Sequence, residues 1–178
     1  MREVVEVRTG PKVHSFAEKL ERARGLADIF ELVKEVVRRT KKTGRAGLSL
    51  GLTELGNEEN LLIGAFYPFG SNIIVMNKTP LRKILETDPR LFKPYTFHVL
   101  LHEYLHTLGI LDEAVLRETA YKICKEVFGP KHLVTQMAEG IERFLPNLLY
   151  PPVNFQPKER FYVEMVKDFD RSSMEYIA

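Results

Sequence analysis

Cysteine occurs once in the 178 residues, at Cys124. An internal disulfide is therefore impossible and a thiolate-based zinc cluster is excluded; a reducing compartment is expected, with cytoplasmic as the default. Long apolar runs are also missing. No window approaches the roughly 18 uncharged apolar residues that a membrane span requires, so no membrane partner is expected. The opening MREVVEVRTG carries a charge at every second or third residue and lacks an apolar stretch, so it is not expected to act as a signal peptide. Neither sign of charge dominates. Twenty-six basic and 24 acidic side chains, net +2, are spread along the chain. That balance argues against a nucleic-acid partner, which selects a segregated basic face. Internal repeats and low-complexity tracts are absent.

What is present suits a globular protein: 44% hydrophobic and 28% charged residues. The expectation is one domain over residues 1–178, with its own core. EVVEVR (3–8) alternates well enough for a short strand. From Ser15 to Thr43, apolar residues recur at three and four, which predicts an amphipathic helix broken near Gly25. GRAGLSLGLTEL, NLLIGAFYPFG and SNIIVMNKT read as three strands joined by short turns, and short connections favour antiparallel pairing. TPLRKILE follows with Thr79 as N-cap and Pro80 at the first helical position. DPRLFKP reads as a loop. Helices are then predicted over Tyr95–Leu108, Asp112–Phe128 and about 131–145, with Gly109 and the Gly129–Pro130 pair as stops. LPNLLYPPVNFQP is irregular and KERFYVEMVKDF a short final element. Strands first and helices afterwards predict α+β: a small mixed or antiparallel sheet followed by helices.

One stretch carries chemistry. FHVLLHEYLHTLGILDEAVLRE (97–118) places histidines at 98, 102 and 106. At ~100° per residue, His102 and His106 lie within about 40° of each other around a helix axis and ~6 Å apart along it, so both rings reach one ion. Glu103 falls beside that ion, where it can take a proton from water activated by Zn²⁺. The flanking Val99, Leu100, Leu101 and Leu105 are uncharged, as a buried active-site helix requires. Histidines 98, 102 and 106 together would span ~12 Å, too far for one ion, so two readings of His98 stay open: a cleft-wall or supporting histidine, or a partly buried histidine with a backbone partner.

The segment Val99–Leu108, with its HExxH pattern, resembles the active-site helix of the zincin superfamily of zinc metallopeptidases. The resemblance implies a cleft under the edge strand of a mixed sheet, a metal at the cleft floor, and hydrolysis of peptide or protein substrates. By position, His102 and His106 match that family's ligands and Glu103 its general base. For the third ligand two branches compete. HExxHxxGxxD is similar to the metzincin arrangement and implicates Asp112, which is also a natural N-cap. The gluzincin arrangement draws a glutamate from the next helix. A tight hairpin at Gly109 brings Glu118 level with the histidines, with Glu113 less well placed. Glu118 is preferred over Asp112, and His132 is a remote third choice.

Around this core, SNIIVMNKT is the candidate cleft-forming edge strand, with an interior strand as the equal alternative. Tyr121 and Tyr150 are candidate oxyanion donors whose simpler reading is packing. Arg117 is expected to pair with Asp112 or Glu113, and Cys124 to be core. The rival functional readings are a zinc hydrolase acting on another bond and a zincin-like domain that binds zinc without catalysis.

Overall fold

The computed structural model describes residues 14–55, 62–157 and 160–170. The strand expected at 3–8 lies outside them. The fold is α+β, as the element order predicts.

The first helical stretch is two helices, α1 (Phe16–Arg22) and α2 (Leu26–Lys41), with Gly25 between them. Ser15 closes α1 with a capping box: its hydroxyl accepts from the Glu18 N–H, and the Glu18 carboxylate accepts from the Ser15 N–H. Strand β1 (Ser49–Thr53) follows, then β2 (Leu62–Ile63), β3 (Ala65–Phe66) and β4 (Ile73–Asn77). The single strand expected across NLLIGAFYPFG is thus two, divided at Gly64. A Cβ there would lie 2.9 Å from the Tyr95 hydroxyl and 3.3 Å from Leu148 Cδ1, so the backbone passes too close to its neighbours for a side chain.

Of the two readings of SNIIVMNKT, β4 takes the interior one and not the edge. The four-stranded sheet has the order β3, β4, β1, then β6 (Glu164–Met165), which places β4 inside. Ile74, Val75 and Met76 are all buried, the signature of a strand covered on both faces. The β3–β4 pair is antiparallel, as short connections favour, but β1 and β4 are parallel from Ser49↔Ile73 to Thr53↔Asn77. The intervening β2 and β3 make this possible, since β1 and β4 are not consecutive. β2 instead pairs in parallel with β5 (Leu148–Leu149) in a separate two-stranded sheet.

α3 (Lys78–Thr87) starts two residues before the expected position. Asn77 is its cap, accepting from the Thr79 N–H at 3.1 Å while its amide donates to the Ile63 carbonyl at 2.9 Å. A 3₁₀ turn over Pro89–Leu91, within the expected loop, leads directly into α4 (Phe92–Thr107). Every residue of α4 from Pro94 to Thr107 is buried, because the sheet and three further helices surround it: α2, α5 (Glu113–Phe128) and α6 (Leu133–Glu139). α6 stops at Gly140, short of the predicted end, and a 3₁₀ turn over Ile141–Arg143 follows. The chain returns through β6, antiparallel to β1. It is pinned where Phe169 stacks on Phe30 and where buried Asp170 accepts from Lys34 and the Leu48 N–H. Among the described residues, no helix is long and apolar enough to cross a membrane.

Candidate metal centre

His102 and His106 leave α4 on one face, with ring centroids 5.0 Å apart and planes at 76°. α4 ends because Gly109 takes a φ of +94°, a conformation that favours glycine. Three residues later Asp112 caps α5, its Oδ1 accepting from the Val115 N–H at 2.9 Å. That turn delivers Glu113, the first residue of α5, to the two imidazoles. Glu113 Oε1 lies 2.9 Å from His106 Nε2, and Oε2 lies 3.4 Å from His102 Nε2. The ligand atoms of His102, His106 and Glu113 all fall within 4.8 Å of one another.

This third member corrects the expectation. Glu118 points elsewhere: it is exposed, with Oε1 2.6 Å from Lys122 Nζ. Asp112 is committed to its cap. His132 caps α6, Nδ1 accepting from the Val134 N–H at 3.2 Å. The reading that favoured Glu118 assumed a tight hairpin, with the matching level one or two turns into the second helix. Ile110, Leu111 and Asp112 instead carry the chain back outside any helix, so the first helical residue is already level. The signal was in the cap: with Asp112 at the N-cap, Glu113 opens the helix with a free carboxylate.

The contacts around these atoms call for a cation. The His106 Nδ1–H donates to the Ile110 carbonyl at 2.8 Å, which turns Nε2 towards Glu113. There Nε2 and Glu113 Oε1 lie 2.9 Å apart. His102 Nε2 and Glu113 Oε2 are buried with no hydrogen-bond partner. A metal ion held between them would give both of these atoms a partner. Spacing agrees. Tetrahedral bonds of about 2.0–2.1 Å put ligand atoms roughly 3.3 Å apart, and the Nε2–Oε separations of 2.9 and 3.4 Å bracket that value.

Burial holds His102 below its ordinary value, favouring the neutral ring. Burial alone would raise Glu113, but His102 and His106 outweigh it and hold the carboxyl below its ordinary value. Glu103 is 2% exposed, and burial, with the charge of Glu113 second, pushes its carboxyl up to about 8.

A second tier surrounds this group. His98 bonds through Nε2 to the Tyr150 hydroxyl, and the Tyr150 ring stacks on His102 with centroids 4.1 Å apart and planes at 13°. The Arg117 guanidinium sits 5.1 Å from the Tyr150 ring centroid, and its Nε is 3.9 Å from Glu113 Oε2, so of its two expected partners it takes Glu113. A cavity of about 100 Å³ opens between His98, His102, Arg117, Met137 and Tyr150. Tyr121 lies under Lys125, and Cys124 is core as expected, its thiol pushed up to about 12 by burial.

Arg45 plays a part that the sequence did not reveal. Its guanidinium donates to the Thr107 carbonyl (3.2 Å), the Tyr67 hydroxyl (2.9 Å) and the Ser71 carbonyl (2.7 Å), clamping the end of α4 to the β3–β4 turn. No protein family, curated protein or solved structure matches the chain.

Proposed function

We propose that this chain is a zinc-dependent metallopeptidase in which His102, His106 and Glu113 hold the ion and Glu103 handles the proton. The observation that carries the reading is the convergence of the ligand atoms of His102, His106 and Glu113 within 4.8 Å of one another, with His102 Nε2 and Glu113 Oε2 buried and without hydrogen-bond partners. Bound there, Zn²⁺ supplies Lewis acidity and brings the pKa of a water from ~16 towards ~7.

The chain's own groups do the rest. His102 and His106 would each present Nε2 to the ion, and Glu113 a carboxylate oxygen. Three protein ligands would leave an ion one position for solvent or substrate, as catalytic rather than structural zinc requires. Glu103 neighbours His102 on the buried helix, and a cation at the centre favours its ionised form over the protonated one. Its carboxylate then takes a proton from the attacking water and passes it to the departing amine nitrogen, leaving acid and amine products. Peptides or proteins are the proposed substrates. A reducing, cytoplasmic location completes the proposal, in keeping with a lone, buried cysteine.

The test pairs metal analysis of the purified protein with mass spectrometry of a peptide mixture incubated with it. One zinc per chain and cleavage of internal or terminal peptide bonds are expected. Glu103→Gln should keep the zinc and lose about 10²–10⁴-fold in rate, the usual worth of a general base. A wild-type chain that takes up no zinc, or a Glu103→Gln variant that cleaves as fast, overturns the proposal.

A further inference from the structure

The two imidazoles at the centre are held in different ways. His106 is oriented by its own Nδ1–H, which donates to the Ile110 carbonyl at 2.8 Å. His102 is held more loosely: among the described residues, its Nε2 meets only Glu113 Oε2, at 3.4 Å. Rotation about the bond to an imidazole ring is broad and roughly two-fold, so a buried ring with one long polar contact gains from a further restraint. The restraint present is a flat one. Tyr150 lies face to face with His102 at 4.1 Å and 13°. Its hydroxyl is bonded to Nε2 of His98, which is 4% exposed and one turn earlier on α4. Tyr150 follows directly on β5, so the pairing of Leu148–Leu149 with β2 brings it there.

We infer that Tyr150, tethered by His98, is a positioning residue for the metal centre: its ring fixes the plane of His102 so that Nε2 faces Glu113. The inference rests on the metal-site reading above and assigns the third histidine of the helix a purpose that metal ligation cannot. A group that orients a ligand raises metal affinity by removing ring orientations that do not bind. By linkage, zinc must in turn favour the docked position of the segment that carries Tyr150.

Zinc affinity, measured by competition with a chromophoric chelator, tests this without reference to activity. Tyr150→Leu keeps an apolar side chain but not the flat ring, and should bind zinc about 10–100-fold more weakly, the range seen when outer-shell partners are lost. Tyr150→Phe keeps the ring and loses only the tether, so it should recover most of that loss. His98→Ala should match Tyr150→Phe, and combining the two should be no worse than either alone, because both remove the same bond. A folded Tyr150→Leu variant that binds zinc like the wild type overturns the inference while leaving the metal site standing. If Tyr150→Leu does not fold, the other pair decides: losses that add in the combined variant overturn the tether, and losses that do not add support it. A wild-type chain that takes up no zinc removes the metal reading, and this inference with it.

Discussion

Glu103→Gln also reports on the electrostatics of the centre, independently of turnover. In the metal-free chain the Glu103 carboxyl is raised from 4.5 to about 8, first by burial and then by the charge of Glu113. Between those two values the folded chain keeps a proton that the unfolded chain releases, so stability falls as pH rises across the interval. At about 1.4 kcal/mol per pH unit the loss is roughly 3.5 kcal/mol by pH 7 and levels off at roughly 5 kcal/mol above about pH 8. Glutamine has no such proton to lose. The stability of the wild type relative to Glu103→Gln should therefore drop by roughly 5 kcal/mol between about pH 4 and about pH 9. Titrations common to both proteins, including that of His102, cancel in the difference. Urea unfolding in EDTA at several pH values measures it. Curves for the two proteins that run parallel within about 1 kcal/mol would refute the argument. Repeating the series with zinc should shrink the difference, because a nearby cation favours the ionised carboxylate.

Three further outcomes are expected. Glu113→Gln should lose zinc beyond the roughly 10–100-fold typical of outer-shell changes, whereas Glu118→Gln should bind as the wild type does; equilibrium dialysis separates them, and the reverse order would unseat Glu113. Cys124, buried and pushed up to about 12, should resist iodoacetamide in the native protein near neutral pH and take one adduct in urea. Rapid native labelling, read by intact mass, would contradict its placement. Lys34→Met leaves Asp170, 3% exposed, without its buried cation, and should cost about 3–5 kcal/mol in chemical unfolding. A loss under about 1 kcal/mol would show that the Leu48 N–H and nearby solvent suffice for that carboxylate.

The helices were the legible part of the fold. Gly109 ends α4 and Asp112 caps α5, each through backbone chemistry that belongs to the residue itself, and Gly25 marks the division of the first helical stretch. The sheet was much less legible. IIVM is apolar at every position, so it carries no period-two signal to say which strands flank it or in which direction they run. The division at Gly64 depends on Tyr95 and Leu148, which are distant in sequence. At the start of α3, Asn77 and Thr79 are both good caps; Asn77 is the one used, in a setting where its amide also meets the Ile63 carbonyl.

The same division runs through the candidate site. Sequence alone determined that His102 and His106 share one face of a buried helix with Glu103 beside them, because i, i+4 spacing and an apolar surround are properties of the helix itself. Tertiary structure decided which carboxylate joins them and what holds the first imidazole. The answers, Glu113 rather than Glu118, and Tyr150 tethered by His98, depend on the path of three residues after Gly109 and on a strand pairing far along the chain. Those paths are set by how α5 and β5 pack against α4 and β2, and no local pattern records the outcome of that packing.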